Sequence, residues 1–141
     1  MIRATSIAAL ILGLPHLLVA QAPRGVEPDW RDLRMSAMER VAIDRATLRQ
    51  NGSVRRADLR WNLVGTAGRF ASYTVEDTEV DCAREQGRLH GRRSVQLTPH
   101  NGRTTTPGVV TPAEHAWHSY GPGSAGREAW RRMCEVPITG T

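Results

Sequence analysis

Two hydrophobic periods divide this chain. Over "VRRADLRWNLV" (Val54–Val64), Ala57, Leu59, Trp61 and Leu63 alternate with Arg56, Asp58, Arg60 and Asn62. Period 2 sends the first set to one side of a strand and the second set to the other. The run therefore predicts a sheet with one dry and one wet face. Shorter runs repeat the pattern. "RVAID" (Arg40–Asp44) turns Val41 and Ile43 inward, "TEVDC" turns Val80 and Cys82 inward, and "SVQL" puts Val95 and Leu97 on one side. "AEHAWHSY" (Ala113–Tyr120) reads as a last strand. Asn51-Gly52 marks a turn, because both residues tolerate positive φ. "GTAGRFASYTVED" (Gly65–Asp77) reads as a loop or strand return, and "TPHNGRTTTPG" (Thr98–Gly108) as a long polar turn region. Gly87 and Gly91 predict a bulge or bend.

The period changes in "GPGSAGREAWRRMC". Ser124 is an N-cap residue, and Ala125, Ala129, Trp130, Met133 and Cys134 then form one stripe of an amphipathic helix. Arg127, Glu128, Arg131 and Arg132 lie off the stripe, and Pro137 stops the helix. The expected fold is α+β: an antiparallel sheet of about six strands, its dry face covered by this C-terminal helix.

The N-terminus follows neither period. Arg3 precedes the apolar run "IAALILGLPHLLVA" (Ile7–Ala20), and small residues follow, as in a secretory signal peptide. Cleavage after Ala20 is preferred to cleavage after Ala22, which would leave Pro23 just beyond the cut. The apolar run falls short of the ~20 residues that span a bilayer, and Pro15 interrupts it. No cysteine lies near its end, so no lipid anchor and no membrane span are expected. The division that follows is a signal peptide over 1–20, a Pro/Gly-containing flexible linker over 21–29, one domain over 30–136 and a tail over 137–141. The protein is expected to be exported, periplasmic or secreted.

Export gives the two cysteines a meaning. Cys82 lies on the inward side of a strand and Cys134 on the inward stripe of the helix. Redox-active pairs usually sit as C-x-x-C, and nothing here does, so a disulfide joining helix to sheet is expected rather than a redox pair or two free thiols.

Charge and candidate chemistry change the picture less. All 19 basic residues are Arg, against 14 acids, for a formal net charge of +5. A basic balance suits nucleic acid, acidic polysaccharide or an anionic envelope surface. Export and the interspersed acids argue against nucleic acid, and Arg without Lys reads most simply as coding bias. Asp77, Glu79, Asp81 and Glu85 should share the wet face and pair with Arg56, Arg60 and their neighbours. "HAWH" would suit a metal only on a helix, where positions three apart share a face. On a strand His115 and His118 diverge. No nucleophile–base pattern is present, and "GPGSAG" only loosely resembles G-x-S-x-G. No catalytic residue, metal ligand or cofactor is expected.

The ordered set "VAIDRATLRQNGSVRRADLRWNLV", "EVDCA", Trp117 followed by "GPGS", and the closing Cys134 resembles the surface-adhesin protein E-like family of bacterial exported proteins. The resemblance spans Trp30 to Cys134. It implies a six-stranded antiparallel sheet with a disulfide-tied C-terminal helix. It also implies a non-catalytic role in binding extracellular-matrix, serum or envelope macromolecules, such as laminin and vitronectin. The alternative left by the residues is a small periplasmic metal-binding protein or enzyme using His115 and His118.

Overall fold

The computed structural model describes residues 27–33, 35, 40–64, 70–98 and 102–138. The expected signal peptide, residues 21–26 of the expected linker, residues 65–69, His100, the side chain of Leu63 and residues 139–141 lie outside the described residues.

Seven strands and two helices follow in order. They are β1 (Trp30–Asp32), β2 (Arg40–Asp44), β3 (Arg49–Asn51), β4 (Val54–Val64), β5 (Phe70–Asp81), β6 (Gln86–Leu97), β7 (Arg103–Pro107), α1 (Pro112–His115) and α2 (Ala125–Glu135). All pairings are antiparallel, in the order β1-β2-β4-β5-β6-β7, and β3 pairs with β4 beside β2. The expected α+β sheet with its C-terminal helix is thus present, and the short β3 makes the seventh strand.

The period-2 reading of β4 holds where the side chains are described. Ala57 and Leu59 are buried with Val41, Ile43, Leu48 and Val80, under Ala129, Trp130 and Met133 of α2. Burying each large apolar side chain here contributes about 2 kcal/mol. Helix α2 begins as expected: the Ser124 hydroxyl accepts from the Arg127 N–H.

Three contacts fix α2 to the sheet. Cys82 and Cys134 form the expected disulfide, with Cα atoms 5.8 Å apart and a sequence separation of 52. Arg55 Nη1 donates to the carbonyls of Met133 at 2.9 Å and Val136 at 2.6 Å, where the helix has exhausted its own donors. Trp130 packs against the bare backbone of Gly87.

Two expectations about local structure need correction. Residues 113–120 do not form a strand. Thr111 and Glu114 make a reciprocal capping box with Pro112 in the first turn, so the chain starts the short helix α1. Only His118 then bridges the sheet, opposite Gly87. The polar region over 98–108 contains β7, where exposed threonines pair with β6. β-branched residues suit an edge strand whatever their polarity. The strand-return reading of 65–77 holds: residues 70–77 are the first eight of the twelve in β5, which returns antiparallel to β4. At the end of the expected linker, the Asp29 N–H donates to Asp44 Oδ1 and its carbonyl accepts from the Arg45 N–H.

The second face is not uniformly wet. Residues directly opposite each other in a sheet share a face. Arg60 lies opposite Ala42 and Val75, and Tyr73 lies opposite Asn62 and Val95. Ala42, Val75 and Val95 are therefore on the side of Arg60, away from α2, and all three are buried. Long arginine and aromatic side chains rise from the same face, and their stems exclude water from the small residues between them.

Candidate functional site

The face away from α2 has two halves of different character. One half, toward the β5–β6 turn, is an ion-paired lattice. Arg56 donates to Asp77 through Nε at 2.8 Å and Nη2 at 2.7 Å. Arg93 reaches Asp58 at 2.8 Å, and Arg88 Nε donates to Glu79 at 3.0 Å. His90 also contacts Glu79. The hydrogen bonds from Arg56 hold the Asp77 carboxyl below its ordinary range and raise Arg56. Burial works to raise Glu79, but the hydrogen bonds from His90 and Arg88 outweigh it and lower the carboxyl. Here charge is locally matched.

The other half is a groove of about 490 Å³. Trp30 and Asp32 of β1, Arg40 of β2, Arg60 and Asn62 of β4, Tyr73 of β5, Leu97 of β6 and Arg103 of β7 line it, with Glu27 and Pro28 at the N-terminal side. Both edge strands therefore border one groove. In a flat sheet six strands would set those edges about 24 Å apart. The sheet is curled instead, and it carries register shifts at Leu63/Val64 and Asp77/Thr78, the kind of irregularity that bends strands.

Arg60 lines the groove from β4. Its Cζ sits 4.8 Å from the centroid of the Trp30 ring and 5.7 Å from that of Tyr73. Ring contacts orient the guanidinium plane. Arg60 Nε is buried and has no hydrogen-bond partner among the described residues. A buried donor left unmade costs about 1–3 kcal/mol. The geometry suits recognition of an acceptor in a curved, partly apolar groove; Leu97, 42% exposed, forms part of its lining.

The residues singled out by sequence fall in different places. Arg56 pairs with the acids as expected, but Arg60 does not: it sits between two rings. The acids do not form one patch. Asp81 Oδ1 accepts from the Ser53 hydroxyl and the Ala83 N–H, holding the β5–β6 turn and lowering its own carboxyl. Glu85 has left the strand, takes a positive φ of 53° and pairs with Arg127 of α2. His115 ends α1, contacts the Leu89 carbonyl through Nδ1 and stands edge-on to His90. His118 stands against Tyr120 and Trp130. The two histidines thus point to different surroundings. No cluster of three or more His, Cys, Asp or Glu suited to a metal occurs among the described residues.

Sequence reasoning placed Arg60 on the correct face but missed its companions. Trp30, Arg40, Tyr73 and Arg103 come from four other strands, and no local pattern joins them. The one local signal was parity: each of these residues lies in register with the wet side of β4 or its neighbours.

A family model for surface-adhesin protein E matches residues 30–135. The chain belongs to the surface-adhesin protein E family. The match covers all seven strands, both helices and the two disulfide cysteines. Comparison with curated proteins and with solved structures gives no match. Membership supports a surface adhesin-like role. Among the described residues, no helix is long and apolar enough to cross a membrane.

Proposed function

We propose that this member of the surface-adhesin protein E family is an exported, non-catalytic binding protein of the envelope. In this reading residues 1–20 are a leader removed on export, residues 30–136 form the binding module, and the groove end of the second sheet face holds an extracellular-matrix or envelope macromolecule. The observation that carries the reading is Arg60, oriented by Trp30 and Tyr73 in an open groove that Arg40 and Arg103 also line. Oxidation of Cys82 and Cys134 supports export, since disulfides persist in oxidising compartments.

The test is capture from envelope extract and from a matrix panel that includes laminin and vitronectin, using immobilised purified protein. A partner retained by the wild type and weakened about tenfold or more by Arg60→Gln is the expected result. Failure to retain any partner, or equal retention by Arg60→Gln, would overturn the reading. Fractionation of the producing cells, with the disulfide state followed, separates periplasmic from released protein.

A further inference from the structure

We propose that the Arg60 groove recognises an acidic sugar unit of an anionic polysaccharide, through its carboxylate or sulfate group. The inference rests on the binding role given above and names the ligand chemistry of the same site.

Three features of the lining select this chemistry together. First, arginines from three strands (Arg40, Arg60 and Arg103) line one groove. Guanidinium forks match planar carboxylates and sulfates through paired N–H donors. Second, Trp30 and Tyr73 border the same space. Aromatic faces pack against the C–H faces of a pyranose ring, which a bare anion does not possess. Third, Asp32, Glu27 and Asn62 also line it. Carboxylates among the arginines would repel a dense phosphate chain, but they accept hydrogen bonds from hydroxyl groups. A ligand carrying one anion and several hydroxyls on a ring uses all three sets. Because the groove is bordered by both sheet edges and open along the face, it suits an internal unit of a chain better than a small molecule that must be enclosed.

The other half of the face supplies the control. Arg56, Arg88 and Arg93 are ion-paired to Asp77, Glu79 and Asp58 and offer no comparable recognition site.

Calorimetric titration of the purified protein with a heparin hexasaccharide, a polygalacturonate hexasaccharide, maltohexaose and sodium sulfate tests the inference. At least one of the two acidic hexasaccharides should bind, and comparing them tells sulfate recognition from carboxylate recognition. Maltohexaose and sodium sulfate should bind at least about tenfold more weakly than the acidic one. Arg60→Gln and Arg103→Gln should each weaken binding about tenfold, while Arg131→Gln, which removes the same charge from α2, should change it less than about twofold. Arg103→Gln, at an exposed edge position, keeps the test valid if Arg60→Gln unfolds. Absence of binding by both acidic hexasaccharides overturns the inference. So does equal binding of sodium sulfate, or equal weakening by Arg131→Gln. If a macromolecular partner is still captured in an Arg60-dependent way while neither hexasaccharide binds or competes, the sugar assignment fails and the binding role stands.

Discussion

Trp130 occupies the space that any side chain at position 87 would need. A Cβ built on Gly87 would meet the indole at 2.8 Å. Trp130 belongs to α2 and Gly87 to β6, so the missing side chain is what lets the helix lie close to the sheet. Gly87 also exchanges both backbone hydrogen bonds with His118, at 2.9 and 3.0 Å, which holds its backbone against retreat. Gly87→Ala must therefore displace the helix or break that bridge, at a cost of about 1–3 kcal/mol. Urea denaturation should show a lower midpoint with an unchanged slope. Gly91→Ala, whose added Cβ would meet nothing closer than 3.9 Å, should leave the midpoint nearly unchanged.

The disulfide ties the same helix near its C-terminal end. Cys82 follows β5 and Cys134 lies in the last turn of α2, with 52 positions between them. Loop-closure entropy puts the stabilisation at about 4 kcal/mol, a large share of the net stability of a domain this size. Cys134→Ala, or full reduction, should lower the melting temperature by many degrees. Native protein should resist alkylation at both positions; labelling of two thiols without reductant would contradict the bridge.

Arg55 sits directly opposite Val80 and so projects on the helix side of the sheet, where the alternation would place an apolar residue. Its guanidinium instead closes the end of α2 through Met133 and Val136. Arg55→Met keeps much of the stem's packing and removes both charge-assisted bonds. It should cost about 2 kcal/mol. Amide exchange at the end of α2 should accelerate more than exchange at its start.

Glu114 provides a pH test of α1. The Thr111 N–H, the Arg92 guanidinium and the Thr111 hydroxyl together depress its carboxyl from an ordinary 4.5 to about 2. A depressed acid stabilises the fold above its ordinary value, and that contribution is lost as pH falls through its folded value. The capping box should persist through pH 4.5 and loosen as pH falls toward about 2. An NMR titration of the Glu114 carboxyl should show that low midpoint, and Thr111→Val or Arg92→Gln should raise it. A midpoint at the ordinary value in wild type would remove the capping box from solution.

Much of the architecture was local information. The alternation in β4 marked its buried face, the stripe after Ser124 marked α2, and the inward parity of Val80 and Cys82 pointed toward Cys134. These features are legible because strand and helix periods repeat within a few residues and each element must bury one side. The capping box at Thr111 and Glu114 was equally local, yet the apparent alternation over 113–120 competed with it. Two hydrogen bonds at a helix start outweighed a short polar–apolar pattern. The edge strand β7 was masked by its threonines, whose β-branching rather than hydropathy suits a pleated edge.

The groove was not legible in this way. Sequence alone placed Arg60 on the face away from the helix, and its alternation with Leu59 and Trp61 required that. It could not place Trp30, Tyr73 and Arg103 around it, because strand order and sheet curvature bring those residues together from three strands distant in the chain. Nor could it tell that Arg56 would find Asp77 while Arg60 would find two rings. Both arginines are outward positions of one strand, two pleats apart. What separates them is the residue opposite: across β5, Arg56 faces Glu79 with Asp77 on the diagonal, whereas Arg60 faces Val75, with Tyr73 and Asp77 on its diagonals and Asp77 already held by Arg56. Local periodicity decides which way a side chain points, and only register decides what it meets.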